Sequence, residues 1–141
     1  MMAHNNSCGV GRTQDWTSHN IEHELSALYD CAHGAGLAVV MPAVFTYTLE
    51  HNVMRFAQAA VRVWGCQMDF ADPKRTALEG IEALRNFLIS IGMPKNFAEL
   101  GAKEEDIEKL AHTCCYGDSK YWYSRKDLQL LIRKMWKIFI N

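Results

Sequence analysis

The stretch Asp15-Trp16-Thr17-Ser18-His19-Asn20-Ile21-Glu22-His23-Glu24-Leu25-Ser26-Ala27-Leu28-Tyr29-Asp30-Cys31-Ala32-His33-Gly34-Ala35-Gly36 decides how the rest of the chain is read. Ile21, Leu25 and Leu28 recur at three- and four-residue spacing, the mark of a helix with one apolar face. Asp15 or Thr17 is a suitable residue to cap its start. The helix is expected to end near Asp30, because Gly34 and Gly36 open a turn, and the run from Gly36 to Leu49 then reads as a second, buried helix. That run stops after about 14 residues at Glu50 and His51. A membrane span needs roughly 20.

The same periodicity continues outward, and no Asn-Gly or Asp-Gly pair between alternating runs marks a hairpin, so the expected class is all-α, a helical bundle. Asn52 to Trp64 reads as a helix facing inward with Val53, Phe56, Ala60, Val63 and Trp64, closed by Gly65. Pro73 to Ile91 is the clearest helix, with Asp72 as N-cap, Pro73 in the first turn, and an apolar stripe of Ala77, Ile81, Leu84, Leu88 and Ile91. Gly92 and Pro94 stop it. Glu104 to Cys114 predicts a shorter helix around Ile107, Leu110 and Ala111. The last helix begins at Ser124, which has capping-box spacing to Asp127, and turns Leu128, Leu131, Ile132, Met135, Ile138 and Phe139 inward. Tyr116 to Tyr123 lacks periodicity and reads as a surface connection whose Trp122 packs down.

Of the 141 residues, 49% are apolar and 22% charged, enough for one globular domain and too apolar for a disordered solvating segment. The 15 Lys and Arg against 16 Asp and Glu leave no basic excess, so nucleic acid is not an expected partner. Nor is a membrane, and because the N-terminus has no basic region followed by an apolar block, a secretory signal is not expected. The cysteines Cys8, Cys31, Cys66, Cys114 and Cys115 are odd in number and follow no CxxC spacing. They are read as reduced thiols of a cytoplasmic protein, with Cys114 and Cys115 as packing residues or incidental thiols.

His19 and His23, four apart, project from one face of the first helix, and His33 stands at the entrance to the next. Such a face can hold a metal ion. It is short of donors, since a catalytic divalent ion takes three protein ligands and an open position, so the rest must come from carboxylates, another helix or another chain. His4, His51 and His112 read as ordinary surface or core residues. A second pattern is also present. His19-Asn20-Ile21-Glu22-His23 is HxxEH, the inverted zinc-metallopeptidase motif with Glu22 as base, for which Glu99, Glu104 or Glu105 would be the third ligand. That reading gives His33 no role.

Gly9-Val10-Gly11-Arg12, Gln14-Asp15-Trp16, His19-x-Ile21-Glu22-His23-Glu24-Leu25-Ser26-Ala27-x-Tyr29-Asp30, His33-Gly34-x-Gly36-Leu37-Ala38 and Pro42-Ala43 together resemble the iron-containing (group III) alcohol dehydrogenases, in their NADH-dependent butanol dehydrogenase branch. The resemblance is dense over Met2 to Tyr47 and includes the spacing from His19 to His33. It implies the all-α, metal-binding C-terminal domain of such an enzyme, here as a single partial domain over residues 1–141 without the N-terminal nucleotide-binding domain. By motif it makes His19 and His33 metal ligands and His23 a histidine near the nicotinamide that relays the alcohol proton. The cofactors it implies are a divalent metal, iron or zinc, and NAD(H) bound by the missing domain, for which no G-x-G-x-x-G run is present. The implied activity is hydride transfer between small aldehydes and primary alcohols in a homo-oligomer, with the isolated chain inactive. The other family ligands, an aspartate and a histidine, lie upstream of the matching segment. A non-catalytic helical interaction domain is the alternative.

Overall fold

Asp15 opens the first helix, though not from the cap position. Its Oδ1 accepts the Thr17 backbone N–H at 2.9 Å and the Thr17 hydroxyl, while Trp16 occupies the N-cap. The computed structural model describes residues 9–11, 14–113 and 125–139, the last without the side chains of 125, 128 and 137–139. Among these the chain forms α1 (Thr17–Tyr29), α2 (His33–Thr48), α3 (Val53–Trp64), α4 (Pro73–Ser90), α5 (Ile107–Thr113) and α6 (Arg125–Phe139), with short 3-10 turns at Leu49–His51, Ala98–Leu100 and Glu104–Asp106. No strand occurs among the described residues. The expectations for His4, Cys8, Cys114, Cys115, Tyr116 to Tyr123 and Ser124, and for the side chains of Leu128, Ile138 and Phe139, fall outside them.

The helix α2 is the axis of the fold. It is apolar on most of its circumference, as a helix buried between two layers must be. Val39, Val40, Ala43 and Val44 enter one core with Ile21 and Leu25 of α1, Leu110 of α5, and Leu131, Ile132, Met135 and Trp136 of α6. Phe45 and the following Leu49 enter a second, with Ala57 of α3 and Ala77 and Ile81 of α4. None of the described helices is long and apolar enough to cross a membrane. Pro42 lies inside α2, where it removes one backbone donor, and Thr46 Oγ1 donates to the Pro42 carbonyl at 2.9 Å.

Several sequence expectations need correction. Gly34 and Gly36 lie within the first turn of α2 instead of opening a turn before it; the break falls at Asp30, which takes the left-handed conformation at φ 51° and caps α1 through its N–H to Ser26 O. Asp72 sits at the N-cap of α4 without a side-chain capping bond, and Asp69 Oδ1 receives the Ala71 and Asp72 amides ahead of the helix. Val63 is 67% exposed and Ile91, past the end of α4, is 54% exposed. The α3–α4 contact is made by small residues: Ala57, Ala60, Ala77 and Gly80 are all buried. A Cβ on Gly80 would collide with Ala60 Cβ and lie 2.8 Å from Ala60 Cα, which is backbone and cannot swing aside. Gly to Ala inside a helix ordinarily gains about 0.5–1 kcal/mol. Here Gly80→Ala is expected to lose about 1–3 kcal/mol by overpacking, read as a lower urea midpoint with unchanged slope.

The base of α1 is tied to the segment before α5. The Tyr29 hydroxyl donates to Asp106 Oδ2 at 2.8 Å and accepts the Lys103 amide at 3.2 Å. Burial, reinforced by the bond to Asp106, raises the phenol above its ordinary value, against the Lys103 amide, which lowers it. The protonated phenol is therefore favoured in the folded chain. Its contribution is complete below the unfolded value of about 10 and is lost as pH rises from there through the raised folded value. Tyr29→Phe is expected to cost about 1 kcal/mol near neutral pH and to flatten the alkaline limb of the stability curve, measured by urea unfolding across pH. Between α5 and α6, Arg133 grips Glu108 with two bonds of 2.8 and 2.7 Å and holds its carboxyl below the usual range.

Candidate metal centre

The three-residue connection Asp30-Cys31-Ala32 returns the chain so that the start of α2 faces the first turns of α1. His33, the first residue of α2, is thereby brought to His19 and His23. Ring centroids are 5.3 Å apart for His19 and His33, 5.2 Å for His23 and His33, and 6.1 Å for His19 and His23. The three histidines singled out from spacing do converge. Trp16 stands edge-on to His19 at 5.1 Å. His23 and His33 are exposed and His19 is half-buried, so the imidazoles form an open face.

Behind that face lies Glu22, fully buried at 0% exposure. Its Oε2 is hydrogen-bonded to His33 Nδ1 and its Oε1 accepts from the Ser26 hydroxyl, which also lies 3.1 Å from the Cys31 carbonyl. The room for this carboxylate is made by Gly36, where a Cβ would stand 2.6 Å from Glu22 Oε1 and 2.7 Å from its Cγ. Glu22 entered the sequence reading only as the base of an HxxEH peptidase. The structure turns it into the protein with both oxygens engaged, away from any water it could activate. A signal for this was available: Glu22 is one position after Ile21 and three before Leu25, which puts it on the core face of α1.

Ligand atoms of Glu22, His23 and His33 lie within 4.8 Å of one another, a spacing that a metal ion could bridge. The Glu22 oxygens are already occupied by His33 and Ser26, so the imidazoles are the available donors. The donor set fits a divalent ion of the iron or zinc type, because neutral imidazole suits both and a buried carboxylate on the remote ring nitrogen is the usual support of a ligating histidine.

Residues 1–126 match the Fe-containing alcohol dehydrogenase family in its C-terminal part. The chain belongs to this family. Among the alcohol dehydrogenase relatives, the probable NADH-dependent butanol dehydrogenase 1 of Bacillus subtilis is 37% identical over 110 residues, 78% of this chain and 28% of that protein. NADH-dependent butanol dehydrogenase A of Clostridium acetobutylicum is 33% identical over 111 residues, with the same shares. The crystal structure of NADH-dependent butanol dehydrogenase A from Thermotoga maritima superposes with a TM-score of 0.83 at 35% identity, covering 95% of this chain and 36% of that one. The chain thus spans about 28% of the length of the curated relatives it matches. The helical architecture expected for this family's C-terminal domain is the one observed.

Proposed function

We propose that the histidine face supplies part of the metal site and the proton relay of an NAD(H)-linked alcohol dehydrogenase that interconverts small aldehydes and primary alcohols. The observation that carries this reading is the convergence of His19, His23 and His33 from two helices onto one open face. His19 and His33 would hold the divalent ion, iron or zinc, together with donors other than these two. When bound, such an ion polarises the alcohol or aldehyde oxygen while hydride passes between substrate carbon and nicotinamide. His23, one turn along from His19 and exposed, would accept the alcohol proton on a ring nitrogen and return it to water. The relatives named for NADH and butanol support NAD(H) and a short primary alcohol as the cofactor and substrate class. Free Cys31 and Cys66 fit a reducing, cytoplasmic setting, and exposed Phe70, Phe87 and Ile91 fit a homo-oligomer.

The test is a graft. The 141-residue sequence replaces the matching segment of the Bacillus subtilis relative, and NADH oxidation with butanal is followed. Turnover in the graft, lost on His19→Ala, is expected. A soluble, folded graft whose turnover is untouched by His19→Ala and His33→Ala would remove this reading.

A further inference from the structure

Among the described residues Glu22 is the one ionisable side chain that is buried, and the reaction read above gives it no task. A carboxylate taken out of water is costly unless its oxygens are hydrogen-bonded. Both are, and the partners come from different elements: Ser26 one turn along α1, and His33 at the start of α2. Ser26 also reaches the Cys31 carbonyl in the connection. Gly36, a turn after His33, leaves the volume that the carboxylate fills. Helix, connection and next helix are all shaped around one side chain.

We propose that Glu22 is a positioning residue for His33. A carboxylate oxygen only accepts, so the ring nitrogen against it must carry the proton. Glu22 keeps that proton on Nδ1 and leaves Nε2 as the lone-pair donor of the open face; without this bond nothing fixes the tautomer. The tautomer is inferred from the contact between His33 Nδ1 and Glu22 Oε2. Its effect on metal affinity rests on the metal-site reading above.

The experiment uses the metal-free, 15N-labelled 141-residue chain, with long-range proton–nitrogen correlation of the imidazoles at about pH 8.5, where an ordinary histidine is neutral. His33 is expected to carry its proton on Nδ1 in the unmodified chain. Glu22→Ala should abolish that preference, and so should Gly36→Ala, which leaves Glu22 in the sequence and takes its space. Glu22→Gln should retain it, since the amide carbonyl can accept from Nδ1. Calorimetric titration with Zn2+ should show affinity falling about 10- to 100-fold in Glu22→Ala and Gly36→Ala and largely kept in Glu22→Gln.

A His33 proton on Nε2 in the unmodified chain would overturn the proposal, as would an unchanged Nδ1 proton in both Glu22→Ala and Gly36→Ala. Should Glu22→Ala lose its helical circular dichroism, Gly36→Ala and Glu22→Gln decide by the same criterion. The expected tautomers in a chain that takes up no Zn2+ would overturn the metal-site reading and uphold the role of Glu22.

Discussion

Replacing His19 and His33 together with alanine is expected to lower the affinity of the chain for Zn2+ by at least about 100-fold, since loss of a supporting partner alone costs about 10- to 100-fold and here the donors themselves are removed. The measurement is calorimetric titration of the folded 141-residue chain. His23→Ala should keep most of the affinity, because His23 is read as carrying a proton and not the ion. The opposite pattern, with affinity lost in His23→Ala and kept in His19→Ala, would transfer the site to the close group of Glu22, His23 and His33. Unchanged affinity in the double variant would remove the metal site altogether. The His33 ring is almost equally far from the other two, at 5.3 and 5.2 Å, while of these two only His23 joins it in the close group of ligand atoms, so the variants decide between them.

The second large effect lies away from the site. Trp136, 2% exposed, stacks on Phe97 with ring centroids 5.1 Å apart and an interplanar angle of 20°. It belongs to the same core as Ile21 and Leu25, which back the helix bearing His19 and His23. Trp136→Ala is expected to cost about 3–5 kcal/mol, a large share of the roughly 5–15 kcal/mol that holds a domain together. The melting midpoint should fall by on the order of 10–20 °C. Trp136→Phe keeps a ring against Phe97 and should cost less than half as much. Equal losses in the two variants would mean that ring stacking is not what docks α6.

Much of this was legible because helices advertise their period. The start of α3 after Asn52, its end at the left-handed Gly65, and α4 from Pro73 all fall where apolar spacing and capping place them. The His19–His23 pair followed from four-residue spacing, and His33 from its place at the entrance to the next helix. Two things escaped. Apolar periodicity weights large side chains, so it turned Val63 inward along with Ala60 and overlooked Ala57 and Gly80, where closeness of two backbones is the packing. It also treats a carboxylate as solvated. Spacing puts Glu22 on the core face of α1, but the partners that accommodate it there, a histidine eleven positions on and a glycine fourteen positions on, are a tertiary arrangement that single-helix periodicity does not contain.

The connection of Asp30, Cys31 and Ala32 also bears on the order in which the molecule assembles. Bringing His19 to His33 closes a loop of about 14 residues, at roughly 2 kcal/mol of chain entropy by the logarithmic loop law. Docking α6 on α2 closes one of roughly 90 residues. Contacts of low sequence separation form first. During synthesis the α1–α2 hairpin, with its three imidazoles, can close while the last helix is still unmade, and an ion captured then would guide the fold instead of being added to it.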